Sequence, residues 1–323
     1  MILRAAALAV AAASVHLVAP GGALAQNYPA RPIRIIALSS PGSGPDIVGR
    51  LIGSKLTEAW GQQVIVDTRP AATGIVGAEI ASRAAPDGHT LLIVTAQAVI
   101  VSVMYEKLPY NLIRDFAPVT LVASTPFILA VHPSVPATSI KELIALAKSK
   151  PGQLRYGSGG SASPPHLSAE MFRSMTGIEI LHVPYKGITP AMIDTVAGEV
   201  QFLISVIPAV LPTIRSGKLR ALGVTSAKRS ALVPDLPTIA ETVPGYEFIG
   251  WYGLVAPART PPTILSRLNG VVVQALKAPE FRDRFSALGA EPIGSTQKEL
   301  ADYLPLQMEK LRKAVQESGA RLD

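Results

Sequence analysis

The sequence predicts an α/β fold in two lobes, each a mainly parallel sheet flanked by helices. Two series of short apolar runs alternating with amphipathic stretches predict it, because βαβ order lays consecutive strands parallel. Length agrees: 323 residues exceed one typical domain of roughly 100–200 residues. Composition agrees as well, since 48% hydrophobic and 16% charged residues can bury large cores and exclude disorder or a coiled coil.

The amino end stands apart. Arg4 precedes an apolar run from Ala5 to Val18, Pro20-Gly21-Gly22 breaks it, and Ala23-Leu24-Ala25 supplies small residues where a signal peptidase cuts. Residues 1–25 therefore read as an export signal, with the mature chain starting at Gln26. The run is too short to span a bilayer, and no later stretch approaches 18 uninterrupted apolar residues. Zero cysteines suit an oxidising compartment and exclude disulfides and thiolate sites. The formal charge is +7, from 30 Lys plus Arg against 23 Asp plus Glu, and falls to +6 (29 against 23) once Arg4 is lost. The basic residues are scattered and aromatics make up 5%, so no nucleic-acid surface is expected. What the charge supplies is solubility and a mild field favouring small anions.

The first series runs as follows. Ile33 to Leu38 reads as a strand, Ser39 to Gly44 as a loop, and Val48, Leu51, Ile52 and Leu56 as one face of a helix. Pro45 suits its first turn, Asp46 complements its dipole, and Gly61 ends it. Val64 to Val66, an Ala-rich helix ending before Asp87-Gly88, and Leu91 to Val94 repeat the alternation. The second series starts at Phe127 to Val131. Ser139 and Glu142 then form a capping-box pattern ahead of Leu143, Ile144 and Leu146, and Pro151-Gly152 stops that helix. Leu154 to Gly157, Ile178 to Val183, Phe202 to Ser205 and Leu219 to Thr225 are its further strands. From Thr260 to Leu322 the pattern is helical, with Ile264, Leu265, Leu268, Val272 and Leu276 in phase. This part has too few strands to stand alone, so it packs back on the first lobe. The expected division is residues 26–124 with 248–323, and 125–247, with chain crossings near 124 and 248 and a cleft between the lobes.

In open parallel sheets ligands bind beyond the carboxyl ends of strands. That rule gathers Ser39, Ser40, Gly42, Ser43 and Gly44, the Arg69 to Gly74 loop, Thr95 and Gln97, Ser158, Gly159, Gly160, Ser161 and Ser163, and Tyr185 to Gly187 with Lys186. Glycines admit close backbone approach, helix starts add a positive field and hydroxyls adjust, so the shared preference is for a small oxyanion such as a carboxylate. His166, just after the second serine loop, is a further candidate donor. Residues 157–162 fit G-x-G-x-x-A with Glu179 some way on, but Pro164 and Pro165 delay the helix that would receive a pyrophosphate. No serine has a G-x-S-x-G elbow. Ser295 and Lys298 read as a helix start, where Ser295 or Thr296 caps. The five histidines, His16, His89, His132, His166 and His182, lack metal-ligand spacing. No metal and no cofactor is expected.

His182-Val183-Pro184-Tyr185-Lys186-Gly187, Gly217 to Leu222 and Leu236-Pro237-Thr238 follow one another in an order that resembles the Bug family of extracytoplasmic receptors of tripartite tricarboxylate transporters. Pro86-Asp87-Gly88, Leu108-Pro109-Tyr110, Pro244 to Glu247 and Trp251-Tyr252-Gly253-Leu254 extend the match over nearly the whole mature chain. The resemblance implies a two-lobed periplasmic-binding-protein fold of the Venus-flytrap kind. It also implies a periplasmic, monomeric receptor, not an enzyme, that passes a small carboxylate (a di- or tricarboxylate, an aromatic acid or similar) to membrane permease subunits. By the same resemblance the Ser39 to Gly44 loop holds a ligand carboxylate, Ser158 to Ser163 faces it, and Lys186 lies on the Y-K-G motif. The chain departs from the family pattern at Ser39-Ser40-Pro41-Gly42-Ser43, which predicts a roomier and more polar pocket. It departs again at Arg69-Pro70-Ala71-Ala72-Thr73-Gly74 and at Gln201, where a carboxylate is usual. If Gln201 reaches the cleft, an amino-acid ammonium loses its counter-charge. The rival readings are a secreted α/β enzyme acting on a carboxylated substrate and a regulator's effector domain, the latter opposed by the export signal.

Overall fold

The computed structural model describes residues 28–69, 74–105 and 107–318. The export signal at 1–25, the start at Gln26 and the middle of the Arg69 to Gly74 loop lie outside the described residues. The first series gives β1 (Ile33–Ala37), α1 (Gly44–Trp60), β2 (Val64–Thr68), α2 (Ile75–Ser82), β3 (Thr90–Thr95) and α3 (Ala96–Met104). Gly61 ends α1 in the left-handed conformation at φ 70°, which glycine adopts without a β-carbon clash. Asp46 caps its other end, accepting the Gly42 N–H at 2.8 Å and the Arg50 side chain at 2.9 Å.

β4 (Phe116–Val131) leads into α4 (Ile140–Ser149), β5 (Leu154–Ser158), α5 (Pro164–Thr176), β6 (Ile180–Pro184), α6 (Ile188–Ala197), β7 (Phe202–Val206), α7 (Ile207–Arg215) and β8 (Arg220–Val224). Ser139 caps α4 by accepting the Glu142 N–H. Glu142 itself reaches one residue past the cap, to the N–H and hydroxyl of Thr138. The chain closes with β9 (Ile249–Pro257), α8 (Pro262–Leu276), α9 (Pro279–Ala287), β10 (Glu291–Pro292) and α10 (Gln297–Ser318). Thr296 and Glu299 cap α10 reciprocally.

The expected parallel runs are present, β2-β1-β3 on one side and β6-β5-β7 on the other. Between them the sheet is mixed, because β9 runs antiparallel to β3 and to β4, and β4 runs antiparallel to β7 and β8. Two register shifts in β4, between Pro118 and Thr120 and between Leu121 and Ala123, break the period of two by which its first ten residues would have read as a strand.

β4 serves both sides of the sheet. Its residues up to Pro126 pair with β9, and those from Phe127 onward pair with β7 and β8. Thr225, fully buried, ties the changeover together. Its hydroxyl accepts the Phe127 N–H at 2.9 Å, its N–H donates to the Phe127 carbonyl, and its carbonyl accepts the Phe248 N–H at the entry to β9. Ile33, Ile35, Leu91 and Ile93 bury one face of β1 and β3 against α1, α8 and α9. α10 packs against α3, β4 and α5, placing Leu300, Leu304 and Leu311 in the largest core, and Arg173 and Ser174 of α5 bond Glu317 near its end. Replacing Thr225 by valine keeps the volume and strands the buried Phe127 N–H. Stability should fall by about 1–3 kcal/mol, seen as a lower urea midpoint with an unchanged slope.

Candidate functional site

A cavity of about 320 Å³ opens where the two sides of the sheet meet. The ends of β3 and β7, the start of β9 and the changeover in β4 supply its floor through Thr95, Val206, Gly250 to Tyr252, Thr125 and Phe127. Five helices begin at it. Pro45 in the first turn of α1, Ala96 and Gln97 of α3, Pro164 and Pro165 of α5, Gly187 and Ile188 of α6, and Val206 ahead of α7 all line it. Each helix start carries roughly half a positive charge. Among the described residues that line the cavity there is no lysine, arginine, aspartate or glutamate. A larger groove of about 520 Å³ lies between α1 and α8, lined from within those helices and touching no strand end.

The helix starts differ in what they offer. The first N–H groups of a helix have no carbonyl within it to bond, so Ala96 and Gln97 present two donors. Ala98 N–H is already taken by the Thr95 hydroxyl at 3.4 Å. α5 presents field without donors: its first two residues are prolines, and the third, His166, gives its N–H to Ser163. Ile188 restores a donor on that side, since it follows the cap residue Gly187.

Of the loop residues gathered from sequence, Thr95, Gln97, Gly159 and Gly187 line the cavity. Ser39, Ser40, Gly42, Ser43 and Gly44 form the turn into α1, which meets the cavity through Pro45. Ser43 Oγ lies 2.6 Å from Ser39 Oγ and 2.7 Å from the Ser40 carbonyl, and the Gly42 N–H belongs to Asp46. Those hydroxyls satisfy one another, and the adjacent wall is apolar, built from Pro45, Phe127, Trp251 and Tyr252. Ser158 is fully buried, with its Oγ 2.6 Å from His182 Nε2 and accepting the Gly160 N–H. Ser163 is the cap of α5. Ser161 and Lys186 are not among the lining residues; Lys186 is exposed, in a motif whose Gly187 does line.

His166 is buried behind the serine loop, its Nδ1 accepting the Ala162 N–H at 3.0 Å. Burial, and secondly the charge of Arg173, push its pKa down to about 4, so the ring is neutral at ordinary pH. Gln201 accepts the Arg155 N–H on its side-chain oxygen and donates from its side-chain amide to the Gly198 carbonyl, at the start of the strand whose far end, Val206, lines the cavity. The counter-charge argument attached to Gln201 therefore does not reach the site.

Sequence reasoning missed the walls. Thr125, Phe127, Trp251, Tyr252 and Val206 carry no loop signature, and the two ring residues of β9 stood only in a motif. Tyr252 matters most among them. Burial pushes its phenol up to about 12, keeping it neutral, and its hydroxyl lies where a β-carbon on Gly44 would sit. That contact explains a glycine at the first helical position of α1.

Residues 48–320 match the family described as the tripartite tricarboxylate transporter family receptor, TctC. The chain belongs to that family. Protein BugT of Bordetella pertussis is 36% identical over 304 residues, covering 92% of this chain and 92% of BugT. Among solved structures, the R. palustris protein Rpa4515 with adipate superposes with a TM-score of 0.78 at 34% identity, covering 91% of this chain and 99% of that one. MatC from Rhodopseudomonas palustris with bound malate gives 0.73 at 28% identity, covering 89% and 100%. The family is one of receptors, and the two solved structures share the mixed α/β fold.

Gly44→Ala should destabilise the protein by about 1–3 kcal/mol through the overlap with the Tyr252 hydroxyl. Tyr252→Phe should recover part of that loss, giving a non-additive double-mutant cycle in urea denaturation. Additive effects would show that the two groups do not touch.

Proposed function

We propose that the protein is a periplasmic solute-binding receptor that captures a small carboxylate in this cavity and delivers it, unaltered, to the permease of a tripartite tricarboxylate transporter. The observation that carries this reading is the convergence of five helix starts on one cavity whose lining holds no charged side chain. Such a site favours an anion and, having no fixed cation, leaves the ligand free to depart. In this reading the lobes are residues 26–124 with 248–323, and 125–247, and the chain is a monomer. The periplasmic location is supported by the export-signal pattern. Among the described residues no helix is long and apolar enough to cross a membrane.

Two or three charge-assisted bonds from Ala96, Gln97 and Ile188, at about 1.5–3 kcal/mol each, supply much of the roughly 8 kcal/mol of a micromolar complex. Burial of the ligand's carbon skeleton against Phe127, Trp251 and Tyr252 supplies the remainder. The ligand is therefore a carboxylate with an apolar body, the description that fits adipate in Rpa4515. An enzymatic reading finds little support in the one serine-histidine pair near the cleft. Ser158 is sealed from the cavity and its oxygen is engaged by Gly160 and His182.

Adipate, malate and simple aromatic acids should raise the thermal midpoint. A ligand at 100 times its dissociation constant adds about 2.7 kcal/mol, and pure protein should return it chemically unchanged. No shift with any organic acid would overturn the reading. Ala96→Pro should test the donor assignment, because proline suits a first helical position and Thr95 is already extended at φ −135° and ψ 168°. Affinity should drop by about 1.5–3 kcal/mol for one lost charge-assisted bond, read by calorimetry. Scattering at saturation should give a smaller radius of gyration than without ligand.

A further inference from the structure

The serine loop from Ser158 to Ser163 reaches the cavity through Gly159, and two imidazoles hold that loop from behind. His182 on β6 lies in register with Tyr156 on β5. Its Nε2 is 2.6 Å from the Ser158 Oγ, which also bonds the N–H and the carbonyl of Gly160. His166, in the first turn of α5, accepts the Ala162 N–H on Nδ1. Ala162 has φ 59°, a left-handed conformation unfavourable to any residue with a β-carbon. Such a backbone persists only where its surroundings enforce it, and here the enforcing group is a bare ring nitrogen.

The two rings stack on each other, 3.9 Å apart and 14° from parallel, with Tyr156 and Phe202 continuing the stack. Among the described residues, the ionisable groups that pack or bond beside the pair include Tyr156 of β5, Glu170 and Arg173 of α5, and Glu317 of α10. Tyr156 donates to Glu170 at 2.6 Å, Glu170 accepts from Arg173 at 2.7 Å, and Arg173 also reaches the Glu317 carbonyl. Glu170 is thus occupied by two donors and does not face the imidazoles as a free counter-charge. A proton on His166 Nδ1 would displace the Ala162 N–H, and charges on both rings would repel at stacking distance.

We propose that His166 and His182 are positioning residues for the cleft: as a stacked pair they set the shape of the Ser158–Ser163 loop and, through it, ligand affinity, without touching the ligand. This rests on the receptor reading above. The test uses the full chain with nitrogen-15 histidine, and adipate as the probe. At about pH 6, where a free imidazole is largely protonated, His166 should show the nitrogen signature of a neutral ring with the proton on Nε2. A charged ring, or a proton on Nδ1, overturns the proposal. His166→Asn and His182→Gln retain polar atoms near the positions of Nδ1 and Nε2, and should keep the adipate dissociation constant within about threefold, whereas alanine at either position should raise it about tenfold or more. Alanine variants that bind as the parent does overturn it. Should the parent protein not bind adipate, the receptor reading fails for that acid. The amide resonances of Gly159 and Gly160 in the alanine variants then decide the pair, unmoved resonances counting against it.

Discussion

Strand direction is the constraint from which the site follows. In each parallel run the strands point their carboxyl ends at the gap between the two sides of the sheet, so the helices that follow β1, β3, β5, β6 and β7 begin there. The helix starts bring with them the polar groups that a helix cannot satisfy internally. The cavity is thus electropositive by topology, before any side chain is chosen. The antiparallel pair β4 and β9 closes the floor between the runs and places Phe127, Trp251 and Tyr252 against that ring of dipoles.

Side-chain choice then edits what topology provides. Prolines at the start of α5 withdraw two donors while leaving the dipole, and Asp46 takes one N–H from the turn into α1. What remains is a small set of N–H groups on α3 and α6 facing an aromatic wall. In the receptor function proposed above, such a surface would distinguish ligands by the shape of their carbon skeleton once a single anionic end is anchored.

Much of this was legible in the sequence because local signals agreed with the tertiary fold. Gly61, the Ser139 cap and the apolar strands of both parallel runs stand where their patterns put them, whereas Pro164 and Pro165, expected to delay the helix after the serine loop, are its first two residues. Failures occurred where long-range pairing overrode local pattern. The first part of β4 is irregular in register and carries Pro118, Thr120 and Ser124, so its period of two is lost although β9 pairs along it. Thr95 and Gln97 were gathered at a strand end without the helix that starts between them, which is short and apolar on most sides. The serine hydroxyls were legible as polar, but their partners were not. Composition cannot reveal that Ser39 and Ser43 bond each other or that Ser158 turns away toward His182.

The changeover in β4 has a consequence for how such a molecule can flex. Pro126 has no N–H to contribute to a ladder, and the next N–H, from Phe127, is held by the Thr225 hydroxyl rather than by a neighbouring strand. Thr225 also binds Phe248, so the two backbone segments passing between the sides of the sheet are pinned at one residue. Any twist between the two sides therefore loads the hydrogen bonds of one buried threonine, and α10, packed against α3 on one side and α5 on the other, has to follow it.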